Sequence, residues 1–185
     1  SNILEEFLHG IELKSYEFNK YKSKKKNLLI KINISVSKKT SILNKNTKYK
    51  ALVEGTNFAR DLVSEPPNVL TPKEYVNRLI KLKKYGLKVT VYNETKLKKL
   101  KMFSLLGVGQ GSVNESFLVT IEWYGNKKNK SKPLSFVGKG VCFDTGGISL
   151  KPARFMEEMK YDMAGSAVVA GLLKNLAIRK SKINA

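Results

Sequence analysis

The sequence of 185 residues contains only one histidine and one cysteine. The single histidine, His9, excludes the HExxH zinc helix and any site that needs two histidine ligands. The single cysteine, Cys142, excludes an internal disulfide framework and so favours a reducing compartment. No apolar run approaches the roughly 18 residues of a membrane span, and residues 1–10 lack the basic and apolar pattern of a secretory signal. These absences predict a cytoplasmic protein without a membrane anchor.

Arginine is also scarce, although the net charge is +20. Only four of the 35 basic residues are arginine, the side chain that favours bidentate recognition of phosphate and guanine. The lysines are dispersed over predicted loops and element ends, for example at 22–27, 96–101 and 127–132. This pattern favours solvated surfaces, so a nucleic-acid partner is unlikely, although binding through the basic surface stays an alternative.

Hydrophobic periodicity predicts alternating helices and strands. Helices are expected at 3–18, 47–64, 72–85, 94–103 and 156–175. Strands are expected at 27–36, 87–93, 117–125, within 133–144 and opening at 182–185. The glycine-rich stretch at 105–112 lacks the GK[ST] ending of a phosphate loop and predicts a structural connector. The fold class is therefore α/β, with a mixed or parallel sheet flanked by helices.

Helix boundaries are marked most clearly between residues 65 and 86. The consecutive prolines Pro66 and Pro67 in EPPNVLTP (65–72) end the preceding helix. Thr71 then has the position of an N-cap, Pro72 that of the first helical residue and Glu74 that of the capping-box partner. The helix is expected to end at Gly86.

A stretch of sequence that otherwise resembles a buried strand, VGKGVCFDTGGISLK (137–151), contains Lys139, Asp144 and Lys151. Charged groups inside a strand are costly unless they are paired or bound to a cation. Together with Asp162 they permit two interpretations. They form ion pairs at the end of the sheet, or the carboxylates hold divalent metal beside a lysine that stabilises an oxyanion.

Longer segments of the chain resemble the leucine (cytosol) aminopeptidase family. The resemblance is most specific in VGKGVCFDTGGISLKP (137–152) followed by MEEMKYDMAGSAVVAG (156–171). NFARDLVSEPPNVLTP (57–72) and LLGVGQGS (105–112) resemble earlier segments of the family in the same order.

The resemblance implies a fragment with three parts. Residues 1–46 would be the tail of an N-terminal α/β domain, 47–65 an interdomain helix, and 66–185 the first part of a zinc-peptidase-like catalytic domain. The family removes N-terminal residues from peptides, with a preference for leucine-like residues, and commonly forms hexamers.

The resemblance also implies roles for individual residues. Lys139 would be an amine ligand of one of two divalent metals, Zn²⁺ or Mn²⁺, Asp144 a carboxylate shared between both, and Asp162 a second ligand of the lysine-bearing metal. Lys151 would stabilise the gem-diolate, and Met159 would line the pocket for the first side chain of the substrate. A bicarbonate ion is a possible further cofactor.

One family segment has no counterpart in these residues. The Asn-Thr-Asp-Ala-Glu-Gly-Arg run, which supplies an Asp, a bridging Glu and an Arg in the family, does not occur in the sequence. The expectation is therefore a metal-dependent aminopeptidase of which this fragment alone is poorly metallated and inactive. The alternatives are a nucleic-acid-binding or regulatory protein on the same scaffold, or a catalytically dead assembly piece.

Overall fold

A computed structural model describes residues 2–24, 30–35, 47–128 and 132–185. The α-helices in these ranges are α1 (Asn2–Lys14), α2 (Thr47–Ser64), α3 (Pro72–Ile80), α4 (Glu94–Lys99), α5 (Phe103–Gly109) and α6 (Ala164–Ile178). The strands are β1 (Lys88–Tyr92) and β2 (Leu118–Glu122), and 3-10 helices span Lys81–Tyr85 and Met156–Tyr161. The α/β class is confirmed. None of the described helices is long and apolar enough to cross a bilayer.

Helix α3 begins where the sequence predicts, but as an α-helix it ends at Ile80, before the predicted end at residue 85. The hydroxyl of Thr71 accepts the N–H of Glu74 at 3.4 Å, and Pro72 occupies the first turn. The helix continues as the 3-10 segment Lys81–Tyr85 and stops at Gly86, whose φ of 85° is left-handed and favours glycine. Its buried face contributes Tyr75, Val76 and Leu79.

Helices α2 and α6 pack with their backbones in direct contact. A Cβ on Gly55 would lie 2.6 Å from the carbonyl oxygen of Gly171, and a Cβ on Gly171 would lie 2.5 Å from that of Gly55. This approach is closer than side chains permit, so both positions require glycine. A cluster of buried apolar residues from α2, α3, β1, α6 and their connections surrounds the contact: Leu62, Leu70, Tyr75, Leu79, Leu82, Leu87, Val89, Met163, Ala167, Ala170, Leu173, Leu176 and Ala177.

Strands β1 and β2 pair antiparallel, with Val89 opposite Ile121. Residues 183–185 continue the pairing beyond β2, since the N–H of Trp123 donates to the carbonyl of Ala185 at 2.7 Å and the N–H of Ala185 donates to the carbonyl of Trp123 at 3.0 Å. The sequence predicts a mixed or parallel sheet. In the described ranges, the sheet is instead an antiparallel pair with a short extension.

Several predicted elements differ from the structure. The described part of the predicted strand 27–36 (residues 30–35) is not a strand, and the rest lies outside the described residues. Residues 133–144 also form no strand. The predicted connector at 105–112 is largely helix α5, and the predicted helix at 156–175 is divided into a 3-10 segment and α6. Local periodicity predicts a strand without indicating whether another strand is placed to pair with it.

The segment after α1 is held to α2 and α3 through one buried carboxylate. Glu65 is only 3% exposed. Its side chain accepts hydrogen bonds from Lys20 Nζ at 2.8 Å, Arg78 Nη1 at 2.6 Å and the hydroxyl of Tyr21. Burial alone would raise the pKa of Glu65, but these three donors outweigh it and hold the pKa below its ordinary value of 4.5.

We expect Gly55→Ala and Gly171→Ala each to lower the free energy of unfolding by about 1–3 kcal/mol, because the added methyl would overlap a backbone carbonyl that cannot move away. Denaturant unfolding measures the change. Gly10→Ala in α1 is the matched control, since nothing lies within 4 Å of its Cβ position. That variant should gain about 0.5–1 kcal/mol from helix propensity. Equal effects at Gly10 and Gly55 would contradict the backbone contact.

The lowered pKa of Glu65 predicts a pH-dependent stability. Because the folded pKa lies below the unfolded one, the stabilisation is complete above about pH 5 and is lost as the pH falls through the folded pKa. Glu65→Gln should cost about 2 kcal/mol at pH 7 and should flatten the fall in melting temperature between pH 5 and pH 3. An unchanged slope in the variant would contradict the assignment.

Candidate metal centre

The backbone that carries Lys139 runs against the first turn of α6. The carbonyl of Lys139 accepts the N–H of Ser166 at 2.9 Å. A Cβ on the preceding residue, Gly138, would lie 2.5 Å from Ser166 Cα and 2.6 Å from the carbonyl oxygen of Gly165. Only glycine permits this approach. The glycine beside Lys139 is therefore required by packing, and the contact fixes the lysine backbone on α6.

Lys139 and Asp162 form the first ion pair of the site. The lysine Nζ lies 2.9 Å from Asp162 Oδ1. Asp162 ends the 3-10 helix, where its N–H donates to the carbonyl of Met159 at 3.2 Å. Its second oxygen, Oδ2, is buried and has no hydrogen-bond partner among the described residues. A buried carboxylate oxygen without a partner is costly, and a bound cation would remove that cost.

Asp144 and Lys151 form the second ion pair. Asp144 Oδ1 accepts the N–H of Gly146 at 2.8 Å, and its Oδ2 lies 3.4 Å from Lys151 Nζ. Gly146 has a φ of 91°, in the left-handed region, so the turn requires glycine there. A backbone bond of 2.9 Å from Lys151 N to the carbonyl of Thr145 closes the turn. The loop thereby holds Lys151 beside the carboxylate.

The two ion pairs influence each other electrostatically. The hydrogen bond from Gly146 is the largest cause that holds the pKa of Asp144 below its ordinary value, and the charges of Lys151 and Lys139 act in the same direction. The pKa of Lys139 is raised, first by its hydrogen bond to Asp162 and then by the charges of Asp162 and Asp144. Lys139 and Asp144 therefore act on each other across the two ion pairs.

The structure corrects the expected surroundings of Lys139. The sequence predicts a strand interior, whereas the segment forms no strand and the side chain is 61% exposed, with its pKa raised by the hydrogen bond to Asp162. The Lys139 ammonium neutralises Asp162 at 2.9 Å. An amine ligand must be unprotonated, so a metal at this position would replace that ammonium charge with its own.

The two other candidate residues are Met159 and Cys142. Met159 is half-buried on the 3-10 helix, three residues before Asp162. Cys142 packs against the hydrophobic core, and burial raises the pKa of its thiol to about 11. The thiol therefore stays protonated at neutral pH and packs as a small apolar side chain.

The described residues supply a limited set of metal donors. They contain no group of three or more His, Cys, Asp or Glu side chains placed to hold one ion. The site offers two carboxylates and one amine, from Asp144, Asp162 and Lys139.

Sequence reasoning missed Tyr75 and Ser166, whose hydroxyl groups lie 2.8 Å apart behind the Lys139 backbone. Because they are 91 residues apart in the chain, no local sequence pattern indicates that they are in contact.

Comparison with known proteins identifies relatives over most of the chain. Residues 57–185 match the model of the cytosol aminopeptidase family, catalytic domain. A probable cytosol aminopeptidase of Brucella suis is 49% identical over 182 residues, which cover 95% of this chain and 36% of the relative. One of Caulobacter vibrioides is 47% identical over 180 residues, with the same coverage. The chain thus spans about a third of the length of the curated relatives it matches.

Solved structures show the same similarity. The bottromycin maturation enzyme BotP in complex with Mn superposes with a TM-score of 0.77 at 31% identity, over 95% of this chain and 36% of that one. The apo leucyl aminopeptidase from Trypanosoma cruzi superposes with a TM-score of 0.70 at 28% identity, over 78% of this chain and 28% of that one.

Proposed function

Because the chain belongs to the cytosol aminopeptidase family, we propose that the protein carrying it is a metal-dependent aminopeptidase, which hydrolyses the N-terminal peptide bond of peptides. The observation that carries the proposal is the presence of two ion pairs. Lys139 pairs with Asp162, and Lys151 pairs with Asp144. The relatives are named cytosol aminopeptidases, which supports a cytoplasmic location.

The donor set fits divalent metal. Carboxylate oxygens and an unprotonated amine are donors that Zn²⁺ and Mn²⁺ accept, and the buried Oδ2 of Asp162 has no other partner among the described residues. Lys139, Asp144 and Asp162 would hold the ions, with further ligands from outside this chain. When bound, a pair of divalent ions supplies Lewis acidity, which polarises a carbonyl and lowers the pKa of water. The manganese in BotP supports this choice of ion.

Lys151 is placed to act on the substrate. Its side chain is 36% exposed, so a peptide can reach the ammonium, while Asp144 Oδ2 at 3.4 Å restricts where the ammonium lies. A fixed ammonium stabilises the negative charge that develops on the scissile carbonyl oxygen, and it costs little reorganisation at that moment. Lys151 would thus act as an electrostatic catalyst and not as a ligand.

Met159 would contribute an apolar surface for the first side chain of the substrate. It precedes Asp162 by one 3-10 turn, so a pocket beside it would lie next to the ligand carboxylate. An unbranched thioether fits aliphatic side chains of several shapes. This placement supports the proposed preference for leucine-like N-terminal residues.

We expect Lys151→Ala in the full-length protein to lower kcat for a leucyl amide about 100-fold or more, with a smaller change in KM, because the lost charge acts mainly on the transition state. Bound Mn²⁺, measured by elemental analysis, should stay unchanged. Lys88→Ala is the matched control, since Lys88 also forms an exposed ion pair, with Glu122 at 3.1 Å on the sheet. A normal kcat in Lys151→Ala would contradict the role.

Metal dependence has its own test. Dialysis against a chelator should abolish hydrolysis of the leucyl amide, and added Mn²⁺ or Zn²⁺ should restore it. Full activity in metal-free protein would contradict the proposed chemistry.

A further inference from the structure

Two hydroxyl groups join α3 to the first turn of α6, directly behind the Lys139 backbone. The hydroxyls of Tyr75 and Ser166 lie 2.8 Å apart. The Ser166 Oγ also donates to the carbonyl of Met163 at 2.8 Å, and its backbone N–H donates to the carbonyl of Lys139 at 2.9 Å. We propose that Ser166, held by Tyr75, is a positioning residue that sets the distance between the two ligand-bearing segments of the metal centre. The inference rests on the proposed function.

Ser166 contacts both ligand-bearing segments, at Lys139 in one and next to Asp162 in the other. Met163 directly follows Asp162, so the bond from Ser166 Oγ fixes the backbone at that carboxylate. The bond from Ser166 N fixes the backbone of Lys139. A Cβ on Gly140 would lie 3.2 Å from Ser166 Oγ, so the backbone after the lysine also lies against this side chain. One residue therefore couples the amine and the carboxylate that form the ion pair of 2.9 Å.

The direction of the hydroxyl bonds follows from proton counting. A serine hydroxyl has one proton, and the Met163 carbonyl can only accept, so that proton goes to Met163. Tyr75 must then donate its own proton to Ser166 Oγ. Tyr75 is 5% exposed, and burial raises its pKa to about 12, so the phenol keeps this proton at physiological pH. The relay runs from Tyr75 through Ser166 to Met163.

Because of this direction, the loss of the Tyr75 hydroxyl and the loss of the Ser166 hydroxyl have different effects. Tyr75→Phe removes a donor and leaves Ser166 still bonded to Met163 and Lys139. Ser166→Ala breaks the bond to Met163 and also leaves the buried Tyr75 hydroxyl without an acceptor. Leaving one buried hydroxyl unpaired costs more free energy than removing both hydroxyls together. The double variant removes the orphaned proton but does not restore the bond to Met163.

The test measures Mn²⁺ affinity, by calorimetric titration of the metal-free full-length protein. We expect Ser166→Ala to raise the Kd about 10-fold, as loss of a group that orients ligands does. Tyr75→Phe should raise it by less than about 3-fold, and the double variant should lie between the two. Tyr16→Phe is the matched control, since the Tyr16 hydroxyl donates to Asp61 at 2.9 Å in a different part of the molecule.

Each outcome has a definite meaning. An unchanged Kd in Ser166→Ala would overturn the positioning role, and so would an equal rise in Tyr16→Phe, because the effect would then report general destabilisation. In both cases the metal centre itself would stand. Absence of Mn²⁺ binding by the unsubstituted protein would overturn the proposed function, and the positioning role with it.

Discussion

Helix α6 contacts the rest of the chain backbone to backbone, and the candidate site depends on that contact. Gly171 lies against Gly55 of α2, and the first turn lies against Gly138. At these glycines the backbones approach each other directly, so the positions of the α6 backbone and of the Lys139 segment are linked. A helix held this closely gives the site a rigid support, and placement to within a fraction of an ångström is what a metal centre requires.

The charges of the site follow from this support. Asp162 lies just before α6 and is mostly buried, with Oδ2 unpaired among the described residues, while Lys139 pairs with its other oxygen. The pairing satisfies one carboxylate oxygen of Asp162, while the burial of the unpaired Oδ2 stays costly. A divalent ion, which carries a larger charge, would satisfy both oxygens. The unpaired oxygen of Asp162 therefore supports the proposed metal centre over a purely structural ion pair.

The candidate site residues stand out in the sequence because their chemistry is visible locally. Lys139, Asp144 and Lys151 are conspicuous beside glycines in an apolar run, and the cap of α3 is specified by Thr71 and its neighbours. The supporting structure was less predictable. Ile30, Ile32 and Ile34 alternate as strand residues do, yet they are exposed and form no strand. The partnership of Tyr75 with Ser166 depends on tertiary packing, which periodicity does not contain.

The central claim is that Lys139, Asp144 and Asp162 bind divalent metal in the full-length protein. A crystal structure of that protein grown with Mn²⁺, with anomalous scattering recorded at the manganese edge, tests it most directly. The account predicts anomalous peaks within coordination distance of Lys139 Nζ and of both carboxylates, with the ion pair between Lys139 and Asp162 broken. Peaks elsewhere, with none within coordination distance of Lys139 Nζ and the two carboxylates, would contradict it.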